Sequence, residues 1–88
     1  MTQPAVTVYI SDWCPYCQRA KQLLMQKNVA FTEINVDDDA KFREEMISRS
    51  DRRTVPQIFI GDTHVGGCDD LFALDRSGEL DRLIQGAG

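Results

Sequence analysis

Two cysteines separated by two residues, Cys14-Pro15-Tyr16-Cys17, are the part of the sequence best suited to chemistry. Proline is favoured at the first position of a helix, so Cys14 is predicted to be the N-cap residue of a helix beginning at Pro15. Its sulfur then faces free backbone N–H groups, and we expect its pKa to lie below the ordinary value of about 8.5. Cys17, nearly one turn inside the helix, is expected to be a buried neutral thiol. The spacing predicts an attacking and a resolving sulfur that can form a disulfide.

A metal site is the alternative use of these cysteines, because Cys14, Cys17, His64 and Cys68 could supply four zinc ligands. Ligand pairs of structural zinc sites usually lie on loops, whereas this pair falls between a predicted buried strand and a predicted helix. A Cys-x-x-Cys motif beside a βαβ unit is typical of redox proteins. We therefore predict a redox pair and no metal, with His64 as an exposed residue of a hairpin.

The elements that must position the pair follow from hydrophobic periodicity. Apolar runs predict strands over residues 5–10, 30–36, 57–60 and 63–65. Amphipathic patterns predict helices over residues 15–27, from Asp38 or Asp39 to about Ser50, from an N-cap at Asp69, and over a last turn or two after Ser77-Gly78. The first two strands flank a helix and form a right-handed βαβ unit, whereas the last two strands are antiparallel neighbours. The order of elements predicts an α/β protein with a mixed sheet.

Length and composition limit the classes of function. The 88 residues allow one domain, predicted over residues 1–88. The formal net charge of −4 argues against binding to the phosphate backbone of nucleic acids. No apolar run approaches the ~18 residues of a membrane span, and the start lacks the pattern of a signal peptide. Three cysteines without an export signal predict a cytoplasmic location, and a monomer is expected because no surplus apolar face requires a partner.

Three motifs occur in order along the chain: Cys14-Pro15-Tyr16-Cys17, Thr54-Val55-Pro56-Gln57 and Gly66-Gly67-Cys68-Asp69-Asp70. Together they resemble dithiol glutaredoxins of the bacterial class I type, within the thioredoxin superfamily. The resemblance implies a thioredoxin-like fold, with a four-stranded mixed sheet of order 4-3-1-2, strand 3 antiparallel, flanked by helices. It also implies an enzyme that uses glutathione as co-substrate to reduce protein–glutathione mixed disulfides and protein disulfides. In such an enzyme Cys14 is the nucleophile and Cys17 the resolving thiol.

The same resemblance implies where glutathione binds. A cis Val55–Pro56 bond beside the active cysteine would leave the Val55 backbone free to pair with an extended peptide. The N–H groups of Cys68 and Asp69 suit the γ-glutamyl carboxylate, and the Asp69 side chain suits the ammonium group. The alternative to ligand binding is, for Asp69, plain capping of the helix. For Arg43 and Arg52 it is exposure to solvent with no ligand contact. The predicted glutathione-binding residues are Tyr16, Arg43, Arg53, Thr54, Val55, Pro56, Cys68 and Asp69.

The chain departs from the family pattern three residues before the first cysteine, where Ser11 replaces the frequent lysine or arginine and Asp12-Trp13 follow. The missing cation favours a less depressed pKa of Cys14 than in relatives that have it. Trp13 could be a platform for partner proteins or a cover over the helix start. Two other functions stay open: a redoxin that is reduced by thioredoxin reductase and serves ribonucleotide reductase, and an iron–sulfur cluster carrier. The Gly67-Cys68-Asp69-Asp70 segment argues against the first, and Pro15-Tyr16 argues against the second.

Overall fold

Strand β1 (Val6–Ile10) is an interior strand of the sheet, and its buried apolar side chains lie on both faces, as is typical of a strand covered on both sides. The structure is a computed structural model that describes residues 4–86. The other strands are β2 (Thr32–Asn35), β3 (Gln57–Ile60) and β4 (Thr63–Gly66). The helices are α1 (Pro15–Gln26), α2 (Ala40–Ser50), α3 (Cys68–Ser77) and α4 (Glu79–Gln85).

The four strands form one sheet in the order β2-β1-β3-β4. Strand β1 pairs with β2 in parallel, and β3 pairs with β1 and with β4 in the antiparallel direction. This arrangement confirms the predicted order 4-3-1-2 with strand 3 antiparallel. Strand β2 is shorter than predicted, because its pairing with β1 runs only from Thr7–Thr32 to Ile10–Asn35.

Side-chain alternation along β1 and β3 divides the core into two parts. On one face, the sheet packs against helices α1, α3 and α4, through buried residues that include Val8, Ile58, Leu24, Leu71 and Leu80. On the other face, the sheet packs against α2, through Tyr9, Phe59, Val36 and Met46. The loop that leads from β1 into α1 carries the cysteine pair, so both ends of that loop are anchored in the buried core.

The start of α3 differs from the prediction, since Asp69 is not its N-cap residue. The helix begins at Cys68, and Gly67 is the N-cap residue with an extended backbone. Asp70, the third residue of the helix, accepts a 2.9 Å hydrogen bond from the Gly67 N–H. A carboxylate at this position bonds the amide of the N-cap residue, so a glycine without a capping side chain can occupy the cap.

The prediction that His64 is exposed is also wrong. Its side chain is half-buried, its Nε2 lies 2.7 Å from Gln57 Oε1, and its ring stacks on Phe59 with the centroids 4.9 Å apart. The physical reason is that Gln57 points into the protein from β3, and a buried amide requires a polar partner.

Within residues 4–86, no helix combines the length and the apolar character that crossing a bilayer requires.

Candidate active site

Cys14 is the N-cap residue of α1, as predicted, and Pro15 is the first residue of the helix. The Cys14 backbone is extended, with φ −115° and ψ 98°, so its side chain turns back towards the first turn of the helix. The Cys17 N–H donates a 3.1 Å hydrogen bond to Cys14 Sγ. One of the orphan amides of the helix start therefore points at this sulfur, where it would stabilise a negative charge.

Cys14 and Cys17 form a disulfide, with their Cα atoms 5.2 Å apart, which confirms that the pair can close. The two sulfurs differ in access to solvent. Cys14 is half-buried at the end of the helix, whereas Cys17 is 1% exposed and belongs to the core. An incoming disulfide can therefore reach the first cysteine, and the second lies behind it.

The peptide bond between Val55 and Pro56 is cis, as the resemblance implies. The Val55 carbonyl oxygen lies 4.0 Å from Cys14 Sγ, so this segment is next to the disulfide. Within residues 4–86, the Val55 N–H donates no hydrogen bond, and no N–H or O–H group donates one to the Val55 carbonyl oxygen. A backbone that is free at the edge of a redox site can pair with an extended peptide.

Thr54 is exposed, and the buried side chain of Gln57 contacts it from the protein interior. The Gln57 Nε2 donates hydrogen bonds of 3.0 Å to the Thr54 carbonyl oxygen and 3.2 Å to Thr54 Oγ1. Arg53 is exposed to solvent and is not among the residues that line the neighbouring groove. The Thr54 backbone is thus fixed from the interior, whereas Arg53 projects from the same segment.

A shallow groove of about 230 Å³ brings several of the predicted residues together. Its lining combines residues after the first cysteine, the segment around Pro56 and the start of α3, namely Tyr16, Arg52, Pro56, Gly67, Cys68, Asp69 and Asp70. Tyr16 is 57% exposed, so one wall of the groove is an accessible aromatic ring. Predicted contacts Tyr16, Pro56, Cys68 and Asp69 therefore share one surface.

Charges of both signs lie along this groove. Arg52 Nη1 lies 3.0 Å from Asp70 Oδ2. The Gly67 N–H and then the Arg52 guanidinium hold the pKa of Asp70 below its ordinary value, so this carboxylate is ionised at neutral pH. Asp69 is exposed, and its side chain makes no hydrogen bond or ion pair within residues 4–86. Its carboxylate is therefore available to a cationic group of a ligand.

Cys68 lines the groove at the start of α3. The residue is buried at the first position of α3, where its N–H is one of the amides without an intrahelical acceptor. Burial raises the pKa of the Cys68 thiol, with Asp69 acting in the same direction and Arg19 against it. The thiol is therefore protonated at neutral pH and is a weak nucleophile.

Arg43 lies outside the groove in this structure. Its Nη2 is 3.1 Å from Asp37 Oδ1, and the other oxygen of the same carboxylate accepts a 2.9 Å hydrogen bond from the Asp12 N–H. Through Asp37, Arg43 is connected to the loop that precedes Cys14. Its role as a ligand contact stays a prediction, as does that of Arg53.

Trp13 is 99% exposed, directly before the first cysteine, and has a left-handed backbone with φ 55°. The ring does not cover the helix start, which removes one of the two predicted roles. Together with Cys14, Pro15 and Gln18 it lines a second open depression.

Within residues 4–86, no group of three or more His, Cys, Asp or Glu side chains converges as metal ligands would, and the four zinc candidates do not meet.

Three residues that line the groove were missing from the predicted set: Arg52, Gly67 and Asp70. Arg52 had no local signal that separated it from Arg53, because consecutive residues in an irregular segment differ only by how the backbone turns. Asp70 had a signal, since a carboxylate three residues after Gly67 is typical of a capped helix start. The Gly66-Gly67 pair interrupts the chain and favours a helix that starts with Asp69 as its N-cap residue.

The strand order and a redox disulfide at the N-terminus of the helix after β1 define a thiol-disulfide oxidoreductase with a thioredoxin-like fold. The glutaredoxin family model matches residues 6–65. Glutaredoxin 3 of Escherichia coli strain K12 is 58% identical to this chain over 80 residues, which cover 91% of this chain and 96% of that protein. The chain therefore belongs to the glutaredoxin family, an oxidoreductase family that acts on glutathione-linked disulfides.

Solved structures of the family share the same architecture. The solution structure of glutaredoxin from Brucella melitensis is similar with a TM-score of 0.87 and 48% identity, over 100% of this chain and 96% of that chain. The crystal structure of a buckwheat glutaredoxin–glutathione complex is similar with a TM-score of 0.86 and 29% identity, over 94% of this chain and 78% of that chain.

Proposed function

We propose that this protein reduces protein–glutathione mixed disulfides and protein disulfides with glutathione as the reductant. The carrying observation is the contrast between an accessible Cys14, whose sulfur accepts a hydrogen bond from the helix N-terminus, and a buried Cys17 behind it. An accessible thiolate attacks, and a shielded thiol resolves. The whole chain, residues 1–88, is proposed to act as a single cytoplasmic domain and as a monomer.

The first reaction is removal of glutathione from a protein. The Cys14 thiolate attacks the glutathione sulfur of the mixed disulfide, a Cys14–glutathione disulfide forms, and the protein leaves as a thiolate that takes up a proton. A second glutathione, as its thiolate, then attacks the glutathione sulfur on Cys14. Oxidised glutathione leaves, and the Cys14 thiolate is restored.

The second reaction is reduction of a protein disulfide. Cys14 attacks one of its sulfurs, and the thiol of Cys17 loses its proton and attacks Cys14 Sγ. The protein leaves fully reduced, and the Cys14–Cys17 disulfide remains, which is the state of the pair in this structure. Two glutathione molecules reduce it and leave as oxidised glutathione, so two electrons are transferred in each cycle.

The groove supports glutathione as the ligand because its charges complement those of the tripeptide. Free N–H groups at the start of α3, on Cys68 and Asp69, suit the γ-glutamyl carboxylate, and the Asp69 carboxylate suits its ammonium group. The free Val55 backbone suits the cysteinyl part of an extended peptide. Tyr16, Thr54 and Pro56 complete the proposed contact surface. Of these, Tyr16 and Pro56 also line the groove.

The glycyl carboxylate requires a cation, for which Arg43 and Arg53 are the proposed candidates and Arg52 is a third. Each arginine can be replaced by glutamine, with Arg76→Gln on the exposed end of α3 as a matched control. Loss of a carboxylate contact is expected to raise KM for glutathione by about three- to tenfold and to leave kcat unchanged. An arginine whose replacement behaves like Arg76→Gln does not bind the carboxylate.

The test of the proposed function is turnover of the mixed disulfide of glutathione and hydroxyethanethiol, coupled to glutathione reductase and NADPH. Wild type is expected to turn over, and Cys14→Ser is expected to be inactive. Absence of turnover, with reduction of the Cys14–Cys17 disulfide by thioredoxin reductase, would establish the redoxin alternative. A brown protein whose visible absorbance requires Cys14 and glutathione would establish the cluster carrier.

A further inference from the structure

A chain of hydrogen bonds connects β4 to the segment before the cis prolyl bond. His64 Nε2 lies 2.7 Å from Gln57 Oε1, and the Gln57 amide nitrogen bonds the carbonyl oxygen and the hydroxyl of Thr54, at 3.0 and 3.2 Å. Gln57 is completely buried, at 0% exposure. Neither His64 nor Gln57 takes part in the proposed thiol-disulfide exchange. A fully paired buried amide holds its partners in one arrangement, since an unpaired polar atom in the interior is costly.

The chemistry of the three groups determines the direction of these hydrogen bonds. The Thr54 carbonyl is only an acceptor, so the Gln57 amide nitrogen must face Thr54 and its oxygen must face His64. That oxygen is also only an acceptor, so His64 must carry its proton on Nε2. Burial lowers the pKa of His64, and the nearby charges of Arg52 and Arg49 act in the same direction, whereas Asp70 acts against them. The ring is therefore neutral at neutral pH. The neutral Nε2–H tautomer is therefore the donor.

The sheet register brings His64 to this position. Tyr9, Gln57 and Phe59 share one face of the sheet, and His64 pairs with Phe59 across β3 and β4. A register shift between Ile58 and Phe59 interrupts that pairing. Irregularities of this kind redirect side chains, and here the His64 ring stacks on Phe59 with its Nε2 directed at Gln57.

We propose that His64 is a positioning residue for substrate binding, which acts through Gln57 to hold Thr54 and the free Val55 backbone beside Cys14. The inference rests on the proposed function, because it assumes that the Thr54–Val55 segment binds the glutathione part of the substrate. His64 is not among the residues that line the groove. Its contribution is to remove the freedom of a segment that would otherwise have to be ordered on binding.

The experiment compares His64→Phe with His64→Gln. Phenylalanine retains a flat ring over Phe59 but has no N–H, whereas glutamine provides an N–H that reaches a comparable distance. For His64→Phe, KM for the glutathione mixed disulfide is expected to rise about fivefold with kcat unchanged. His64→Gln is expected to return KM to within about twofold of wild type. In a Gln57→Met background, His64→Phe is expected to have no further effect, because the connection is already broken.

A measurement on the wild-type protein needs no variant. The ¹⁵N NMR spectrum of the ring is expected to show the proton of His64 on Nε2 at neutral pH, and a proton on Nδ1 alone would overturn the inference. An unchanged KM in His64→Phe would do so as well, as would equal increases in the Phe and Gln variants. If these results come from a wild type that turns over the glutathione substrate, the proposed function stands. A wild type without turnover overturns the proposed function, and this inference with it.

Discussion

The Cys17 N–H donates a 3.1 Å hydrogen bond to Cys14 Sγ, so the two redox residues are joined through a backbone amide as well as through their disulfide. When the disulfide is reduced, this amide remains at the N-terminus of α1 and can stabilise a thiolate on Cys14. Cys17 gives its amide to the first sulfur, while its own sulfur lies in the core at 1% exposure. The asymmetry of the pair therefore comes from the position of each residue on one helix.

The first prediction concerns Cys17→Ser. Turnover of the glutathione mixed disulfide is expected to stay within about threefold of wild type, since a second glutathione can attack the sulfur on Cys14. Reduction of a protein disulfide is expected to fall to background, because no resolving thiol remains. Both rates are measured with the glutathione reductase assay, with Cys14→Ser as the inactive reference. Equal losses in the two variants would contradict the assignment of roles.

The second prediction concerns Ser11→Lys. Residue 11 belongs to the loop that leads to Cys14, and a cation there is expected to favour the thiolate of the reduced protein. The rate at which iodoacetamide alkylates Cys14 under mildly acidic conditions is expected to rise about threefold, which corresponds to roughly 0.7 kcal/mol. Ser11→Gln is the matched neutral control. A threefold rise in both variants, or in neither, would show that charge at this position does not act on the cysteine.

The third prediction separates the two acidic residues of α3. Asp70 bonds the Gly67 N–H and Arg52, whereas Asp69 makes no such contact, so Asp70→Ala is expected to lower the free energy of unfolding by about 1 kcal/mol more than Asp69→Ala. Asp69→Ala is instead expected to raise KM for glutathione. Urea unfolding at neutral pH and steady-state kinetics measure the two effects. A larger stability loss in Asp69→Ala would reverse the assignment.

The stability effect of Asp70 depends on pH in a defined direction. The pKa of Asp70 is lower in the folded protein than its ordinary value of 3.8. Its contribution is therefore complete above that ordinary value, and it is lost as the pH falls through the lower native pKa. The difference between Asp70→Ala and wild type is expected to shrink when unfolding is measured at about pH 2. A constant difference would mean that the carboxylate charge contributes nothing.

The fourth prediction concerns Gly66, whose φ of +117° lies in a region that other residues rarely adopt. A Cβ at this position would also overlap the Asp70 carboxylate, 2.8 Å from its Cγ, and displace it from Gly67 and Arg52. Gly66→Ala is expected to lower the free energy of unfolding by about 3 kcal/mol. Gly78→Ala, where φ is +84° but the space is open, is expected to cost about 1 kcal/mol. Equal losses in urea unfolding would remove Asp70 from the explanation.

Local signals predicted the parts of the fold that local chemistry determines. Pro15 at a helix start identified Cys14 as the N-cap residue, and apolar periodicity identified every strand and helix to within a few residues. The strand order and the cis Val55–Pro56 bond came from the family resemblance, since nothing in the residues themselves distinguished them. The N-cap residue of α3 was wrong by two positions because both Gly67 and Asp69 suit a helix start, and the bond from Asp70 decides between them.

The sequence by itself determined the redox pair, its place on α1 and the family to which the chain belongs. Only the tertiary structure decided which polar groups meet across elements. Arg52 and Asp70 are 18 positions apart, and the contact of His64 with Gln57 depends on a shift in the pairing of β3 with β4. Such partners depend on the register and turns of the folded backbone, which local residue preferences do not specify.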